Sequence, residues 1–327
     1  VSNTFVTSGS NSNWSNTTAW GGGVVPITTG DVVISHNLNV NVNTNTLGSL
    51  TIDASKTPTI NTGQTLTAAN TTDINGTLSI AGTGKFDANG AFDATNGIID
   101  FTGAGKLECS NTVTSLGTLD NAAGTVTFDG SGSQAITAAT FFNLKNSNTN
   151  GLTMSGDATV NGELNLNVAA DITTGANTLT IGSGGSIANA AADRHINVDN
   201  TSGYLGKTFG SGSAFTFPVG NGTILRPIRL TTTAGSTTYK LRYDDNRYTN
   251  GDVGSSGHFS GGHISGYAGG NTDVTKGYYY DIRKTNGSAD AKLYVSWTNQ
   301  DEFGTGGDSD LNGVKWGTWT GTQWNVI

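Results

Sequence analysis

Apolar and polar residues alternate in short segments through the first two thirds of the chain. In each segment the apolar residues occupy positions i and i+2, which turns one face of a β-strand inward and the other towards solvent. Turns such as Asn75-Gly76 separate the segments. The predicted strands include Leu50–Ile52, Leu78–Ile80, Ile99–Phe101, Val126–Phe128, Leu164–Leu166, Leu179–Ile181 and Ile196–Val198.

The predicted strands recur about every 21 residues, a spacing that favours one coil of a solenoid per repeat. Each coil has few apolar side chains, and stacking like strands on like strands would bury them in one continuous core. We predict a parallel β-helix over residues 31–200; the alternative is an antiparallel sandwich, whose hairpins recur every 8–12 residues or so. The expected inward residues are Leu50, Ile52, Leu78, Ile80, Phe101, Phe128, Leu164, Leu166, Leu179 and Ile181.

Residues 1–30 are predicted to form an N-terminal strand and a cap rich in Trp and Gly. An open solenoid end exposes apolar core and strand edges, so a covering segment is expected there. Trp14 and Trp20 are the residues expected to cover this end. Stacking of these rings on a carbohydrate is the alternative interpretation.

Residues 201–327 differ from the preceding part, since all nine Tyr and all Arg lie from Arg194 onward. Longer alternating segments in this part, such as Tyr239–Tyr243 and Leu293–Trp297, predict an antiparallel β-sandwich domain. The overall expectation is therefore an all-β chain, with a parallel β-helix followed by an antiparallel β-sandwich.

Composition and charge narrow the classes of partner. The chain of 327 residues has 48 Gly, 12% charged residues and a net charge of −8, so nucleic acid is a poor partner, because phosphate binding needs clustered Lys and Arg. No apolar run approaches the roughly 18 residues of a membrane span, so we expect no membrane insertion. The single Cys, Cys109, cannot form an internal disulfide, and it is expected to point inward as a core residue.

Three groups of segments carry a resemblance to known proteins: Asn13–Pro26 continuing into Gly30–Ile34, Gly124–Ile136 followed by Phe142–Leu144, and Phe215–Gly220 with Arg226–Ile228. These segments resemble secreted surface proteins of the Bacteroidetes that are exported by the type IX secretion pathway. The resemblance implies a β-helix with a following β domain, an extracellular or cell-surface location and a signal peptide that has already been removed. Such proteins usually carry a C-terminal sorting domain, and none is recognisable before Trp324–Ile327.

Candidate chemistry is sparse, and we predict neither a catalytic residue nor a cofactor. A glycosidase needs two carboxylates roughly 5 to 9.5 Å apart, and stacked coils offer several Asp residues for such a pair. These residues are Asp73, Asp87, Asp93, Asp100, Asp120 and Asp129. Pairs such as Thr65/Thr67 and Thr178/Thr180 raise the question of an ice-binding Thr array, which the uneven spacing of the coils disfavours.

The one calcium candidate comprises Asp308, Asp310 and Asn312, followed by Gly313. Oxygen ligands at alternate positions before a Gly are typical of the first half of a calcium loop. The twelfth position is Trp319 where such a loop has a Glu, so an Asx-rich turn is the alternative. His258 and His263 are two nitrogen ligands without a third, which does not favour zinc.

These observations predict an extracellular structural or adhesive protein that is not an enzyme and that has surface glycans as possible partners. The alternatives are a carbohydrate-active β-helix enzyme, either a hydrolase or a lyase, and a glycan-binding module. A homo-polymer is also expected, in which residues 1–8 of one subunit add a strand to the C-terminal domain of the next, head to tail. The alternative for residues 1–8 is pairing with their own solenoid.

Overall fold

The computed structural model describes residues 4–9, 12–27, 29–121, 123–198, 202–233, 235–244, 279–295, 317–319 and 324–326. Within these ranges the regular structure is almost entirely β, and it includes one short 3₁₀ helix, Thr17–Ala19. This confirms the all-β prediction. No helix in the described ranges is long and apolar enough to cross a membrane.

Short strands form the first six coils of the solenoid. They are β1 (Thr4–Val6), β2 (Ser12–Asn13), β3 (Asp31–Ile34), β4 (Leu38–Val40), β5 (Leu50–Ile52), β6 (Thr59–Ile60), β7 (Thr65–Ala68), β8 (Thr72–Ile74), β9 (Thr77–Ile80), β10 (Lys85–Ala88), β11 (Phe92–Asp93), β12 (Ile98–Phe101), β13 (Lys106–Cys109), β14 (Val113–Ser115), β15 (Thr118–Asn121) and β16 (Thr125–Phe128).

Further strands complete the solenoid and lead into an antiparallel region. They are β17 (Gln134–Ile136), β18 (Ala139–Phe141), β19 (Asn143–Asn146), β20 (Leu152–Met154), β21 (Ala158–Val160), β22 (Glu163–Leu166), β23 (Ile172–Thr173), β24 (Thr178–Ile181), β25 (Ser186–Ala188), β26 (Ile196–Asn197), β27 (Tyr204–Phe209), β28 (Ala214–Phe217), β29 (Val219–Gly220), β30 (Ile228–Thr232), β31 (Thr237–Asp244), β32 (Tyr279–Asn286), β33 (Ala291–Val295), β34 (Gly317–Trp319) and β35 (Trp324–Val326).

Parallel pairing of like strands builds three faces around one core, in about nine coils. Face A consists of β1, β3, β5, β8, β11 and β14, followed by the sheet β17, β20, β23, β26 and β29. Face B consists of β2, β4, β6, β9, β12 and β15, followed by β18, β21, β24 and β27. Face C runs from β7 through β10, β13, β16, β19 and β22 to β25. The parallel β-helix prediction is confirmed.

The inward side chains form one apolar cluster that extends from Trp14 in the first coil to Tyr243 in β31. All ten residues expected to point inward are at most 1% exposed. Cys109 is buried among them, as expected. The alternation of apolar and polar positions therefore gave the core correctly, because in a strand it decides which side chains leave water.

A buried amide network lies at the junction between β14 and β17, where the two sheets of face A meet. The Gln134 amide nitrogen donates to the carbonyl oxygens of Cys109 and Asn111, each at 2.8 Å. Its oxygen accepts a hydrogen bond from the Asn148 side-chain amide at 2.9 Å. These bonds satisfy polar groups that the junction removes from water.

The first 30 residues form the first coil and its cover. β1 pairs in parallel with β3 of the same chain, with Thr4 opposite Asp31 and Val6 opposite Val33. Trp14 and Trp20 are 1% and 2% exposed, and their rings meet edge to face at a centroid distance of 4.8 Å. The capping role fits this burial, whereas stacking on a carbohydrate does not. Residues 4–6 pair with β3 of the same chain, so the N-terminal strand completes its own solenoid. In this structure it is not free to be donated to a neighbouring subunit.

The antiparallel region grows directly out of the solenoid. β27 pairs in parallel with β24 on one edge and antiparallel with β31 on the other, and β32 extends this sheet. A second antiparallel sheet, β28–β30–β33, packs against it through aromatic rings: Phe209 lies 6.5 Å from Phe215 and 6.3 Å from Phe217 between centroids. Parallel pairing continues beyond residue 200 to Gly220, through β26 and β29.

Candidate functional site

A groove of about 500 Å³ lies on the outer side of face B, where the solenoid sheet continues into β31 and β32. Strands from both ends of this sheet line the same cavity, so the sheet is concave on this side. The lining residues are Ala139, Thr140, Asp157, Ala158, Thr159, Thr178, Thr180, Lys240 and Thr285.

A ladder of threonines forms the floor of the groove. Thr140 is opposite Thr159, and Thr159 is opposite Thr180, on successive coils. The residue that follows each threonine, Phe141, Val160 or Ile181, is fully buried in the core, so the threonine side chains point outward, one for each rung of about 4.8 Å. The next rung is Gly206, where a Cβ atom would lie only 3.0 Å from Thr180 Oγ1. The glycine therefore keeps the floor open next to Lys240, which pairs with it.

Opposite charges lie towards the two ends of the groove. Asp157 precedes β21, and its Oδ1 accepts a hydrogen bond from the Thr178 main-chain N–H at 2.7 Å. The Lys240 ammonium lies 4.1 Å from the centroid of the Tyr204 ring, in a cation–π arrangement. Both charged groups are thus held by contacts within the sheet.

Tyr204 organises the charged end of the groove. The guanidinium groups of Arg242 and Arg283 lie 5.5 and 5.3 Å from its ring centroid, and its hydroxyl donates to Asp281 Oδ2 at 2.8 Å. Burial, together with this carboxylate, raises the pKa of Tyr204 to about 12. Burial alone would raise the pKa of Asp281 as well, but hydrogen bonds from Arg283 and Tyr204 outweigh burial and keep this pKa below its usual value.

The solenoid brings several of the predicted carboxylates together in pairs. Asp73 is opposite Asp93 on face A, and Asp100 is opposite Asp120 on face B. On face C, Asp87 is opposite Glu108, and Lys85 Nζ lies 3.4 Å from Asp87 and 2.9 Å from Glu108.

Asp87 is a partly buried member of the face C pair, with 22% of its side chain exposed. Burial is the main cause that raises its pKa, and Lys85 acts against it. Asp129 directly follows β16, in the coil next to Glu108, and its Oδ1 accepts a hydrogen bond from Ser110 Oγ at 2.8 Å.

The Thr-x-Thr pairs do not form a continuous array on face C. The strand after Thr65/Thr67 presents Lys85 and Asp87 at the same positions, and charged residues follow again on β13. A flat threonine surface of the kind expected for ice binding is therefore interrupted there by charges.

His195 is a buried titratable residue that the sequence did not single out. Its Nδ1 lies 3.2 Å from Asp171 Oδ1 without hydrogen-bond alignment, and the same oxygen accepts the His195 main-chain N–H at 2.7 Å. The Gly222 N–H donates to Nε2 at 3.3 Å. These contacts join neighbouring coils, and the fully buried ring leaves no face for a ligand.

Asp308, Asp310 and Asn312, the predicted calcium ligands, lie outside the described residues, as do His258 and His263. Within the described ranges, no three His, Cys, Asp or Glu side chains are grouped closely enough to hold a metal ion. The calcium site stays a prediction.

The groove residues were missed because no local motif contains them. Rungs of the floor are 19 and 21 residues apart, from Thr140 to Thr159 and from Thr159 to Thr180. Aligning the coils in register would have placed the pair Thr178/Thr180 beside the other threonines. Lys240 and Thr285 could not be found in this way, because they lie on the antiparallel strands β31 and β32.

Comparison with known protein families, with curated proteins and with solved structures found no match.

Proposed function

We propose that the protein is an extracellular structural or adhesive protein that holds glycans in the groove of face B without turning them over. The observation that carries this proposal is the groove itself: a concave polar surface with a hydroxyl on each of three successive rungs and charged groups towards its ends. Carbohydrates are recognised largely through hydroxyl groups, which such side chains match as donors and acceptors.

The scaffold supports this function because it is rigid. Each floor residue belongs to a strand whose neighbouring side chains, Phe141, Val160 and Ile181, are fully buried. A site on packed strands loses little conformational freedom when a ligand binds. The extracellular location rests on the resemblance of Asn13–Pro26 and the other quoted segments to secreted surface proteins.

Head-to-tail assembly belongs to this proposal only in a modified form. Because β1 pairs within its own chain, we do not propose residues 4–6 as the donated strand. Exposed apolar side chains of the first coil, Val6, Val24 and Ile27, offer a different surface for contact between copies.

The test of the adhesive function is a panel of soluble glycans assayed for both binding and product release. We expect binding without release, and loss of binding in Thr180→Arg, whose long side chain fills the groove. Thr153→Arg, on the outward side of face A, is the matched control and should bind as the unaltered protein does. Release of product from any glycan would contradict the non-catalytic proposal.

A carbohydrate-active enzyme is the second candidate, and the pair Asp87 and Glu108 favours it. Side chains opposite each other on neighbouring strands are about 5 Å apart, within the range of retaining glycosidases. The raised pKa of Asp87 suits a general acid. If this candidate holds, the panel yields product and Asp87→Asn abolishes the release, while Asp73→Asn on face A does not.

A further inference from the structure

The groove is polar along its floor and positive at one end. Lys240 belongs to the end formed by the antiparallel strands, and Asp157 belongs to the solenoid end. Among the described residues, no carboxylate lies within ion-pair distance of the Lys240 ammonium. A cation beside a row of hydroxyl groups is a site for one anionic group of a polar ligand.

Within the described ranges, the charged groups around Lys240 are mostly cations. Lys240, Arg242 and Arg283 all lie against the Tyr204 ring. Asp281 supplies one carboxylate here, and that carboxylate is engaged by Arg283 at 2.7 Å and by Arg242 at 3.4 Å. This end of the groove is therefore positive in a chain whose net charge is −8.

We propose that the groove binds the terminal acidic sugar of a glycan, with the sugar carboxylate at Lys240 and the neutral part of the glycan along Thr180 and Thr159. This inference rests on the proposed function, since it names the ligand class of the same site. Gly206 leaves room for the carboxylate between Thr180 and Lys240. Asp157 accepts hydrogen bonds from sugar hydroxyls and repels a second acid, so a chain with a carboxylate on every sugar fits poorly.

The volume agrees with a ligand of this size. A cavity of about 500 Å³ lies in the usual range for small-molecule sites, roughly 300 to 1,000 Å³. One acidic sugar and the sugar attached to it would occupy the groove, and the rest of the glycan would extend into solvent.

The experiment measures the affinity of the full chain for 3′-sialyllactose and for lactose by calorimetry or ligand-observed NMR. We expect the acidic probe to bind about tenfold more tightly, the gain of one charge-assisted hydrogen bond. Lys240→Gln should lower sialyllactose affinity to that of lactose, whereas Lys240→Arg should retain the preference. Lys292→Gln removes an exposed positive charge from β33 and is the control for net charge. Thermal unfolding verifies that each variant is folded.

The outcomes separate this inference from the proposed function. Equal affinity of the unaltered protein for both probes overturns the acidic-sugar inference and leaves glycan binding in place. Binding of neither probe overturns the inference, and failure of the whole glycan panel overturns the proposed function. A preference that survives in Lys240→Gln, or binding that survives in Thr180→Arg, places the acidic sugar elsewhere and also overturns the inference.

Discussion

At the scale of single residues, the turns show how closely neighbouring coils approach each other. Gly124 precedes β16, and a Cβ atom at this position would overlap the ring of Phe101 in the coil below. Gly132 lies in another turn, with no atom within 4 Å of the position that its Cβ would take. Two glycines that look alike in the sequence therefore differ in what they permit.

This difference predicts opposite effects of alanine substitution. We expect Gly124→Ala to lower the free energy of unfolding by about 1–3 kcal/mol, because a packed coil must move to admit a methyl group. Gly132→Ala should be neutral or stabilise by up to about 1 kcal/mol, since it restricts the unfolded chain. Urea denaturation of both variants measures the effects, and equal destabilisation by the two would contradict the close approach at Gly124.

The Tyr204 hydroxyl predicts a pH dependence at the junction of solenoid and antiparallel sheet. Its pKa rises from an ordinary value of 10.0 to about 12 on folding, so its stabilising contribution is complete below pH 10 and is lost as the pH rises towards 12. Tyr204→Phe should lower the free energy of unfolding by about 1–2 kcal/mol at pH 8, with a smaller difference near pH 12.

Denaturation midpoints at several pH values measure the effect of Tyr204→Phe. Tyr294→Phe removes the hydroxyl of a side chain that is 49% exposed and serves as the control. A destabilisation by Tyr204→Phe that does not change with pH would contradict the role given to the hydroxyl.

Lys207 marks the limit of what the sequence shows at this scale. The alternation in β27 places it inward beside Leu205 and Phe209, where a lysine is unexpected, and it is 4% exposed. Its ammonium donates to the carbonyl oxygens of Gly182 and Gly185 at 2.6 and 2.7 Å. The inward apolar residues could be predicted from the alternation of apolar and polar positions alone. The burial of Lys207 depends on hydrogen-bond acceptors 22 and 25 residues away in the sequence, which the register of the coils brings close to its ammonium.

At the scale of elements, the first coil protects an otherwise open strand edge. Main-chain hydrogen bonds join Ser8 N–H to Ala19 O and Gly21 N–H to Val6 O, both at 2.9 Å, so the Trp-containing segment covers part of the β1 edge. The sequence indicated a cap from its Trp and Gly residues. It did not decide between donation and self-pairing of β1, because main-chain pairing depends little on side-chain identity.

Deleting residues 1–8 is therefore expected to increase self-association. The deletion uncovers the edge of β3 and the apolar side chains beneath it, and free edges recruit other chains. Light scattering and negative-stain imaging compare the shortened and complete chains at equal concentration. Should the complete chain form filaments that the deletion abolishes, pairing of β1 within its own chain would not be its state in solution.

At the scale of the whole molecule, the solenoid and the antiparallel region share one sheet and one core. The change in composition near residue 200 therefore does not coincide with an end of the backbone pairing, which continues to Gly220. Composition reports side-chain environment, whereas pairing follows the backbone, and this is why the sequence could not locate the end of the parallel ladder.

Truncation tests this continuity. A chain ending at residue 200 loses β27 and leaves the edge of β24 unpaired, whereas a chain ending at residue 233 keeps β27 to β30. We expect the shorter fragment to unfold at a lower temperature and to aggregate more readily. Calorimetry and size-exclusion chromatography make the comparison, and equal behaviour of the two fragments would show that the solenoid closes without β27.

The direction of the ladder also has a mechanical consequence. Hydrogen bonds between coils run along the solenoid axis, so a force applied to the two chain ends loads the rungs in series and peels them one at a time. Because Thr65 and Lys85 occupy equivalent positions 20 residues apart, each detached coil would lengthen the tether by about 70 Å of extended chain. Stretching a single molecule should therefore give a staircase of small, nearly equal steps at low force, so that the solenoid would yield gradually under load instead of unfolding in one step.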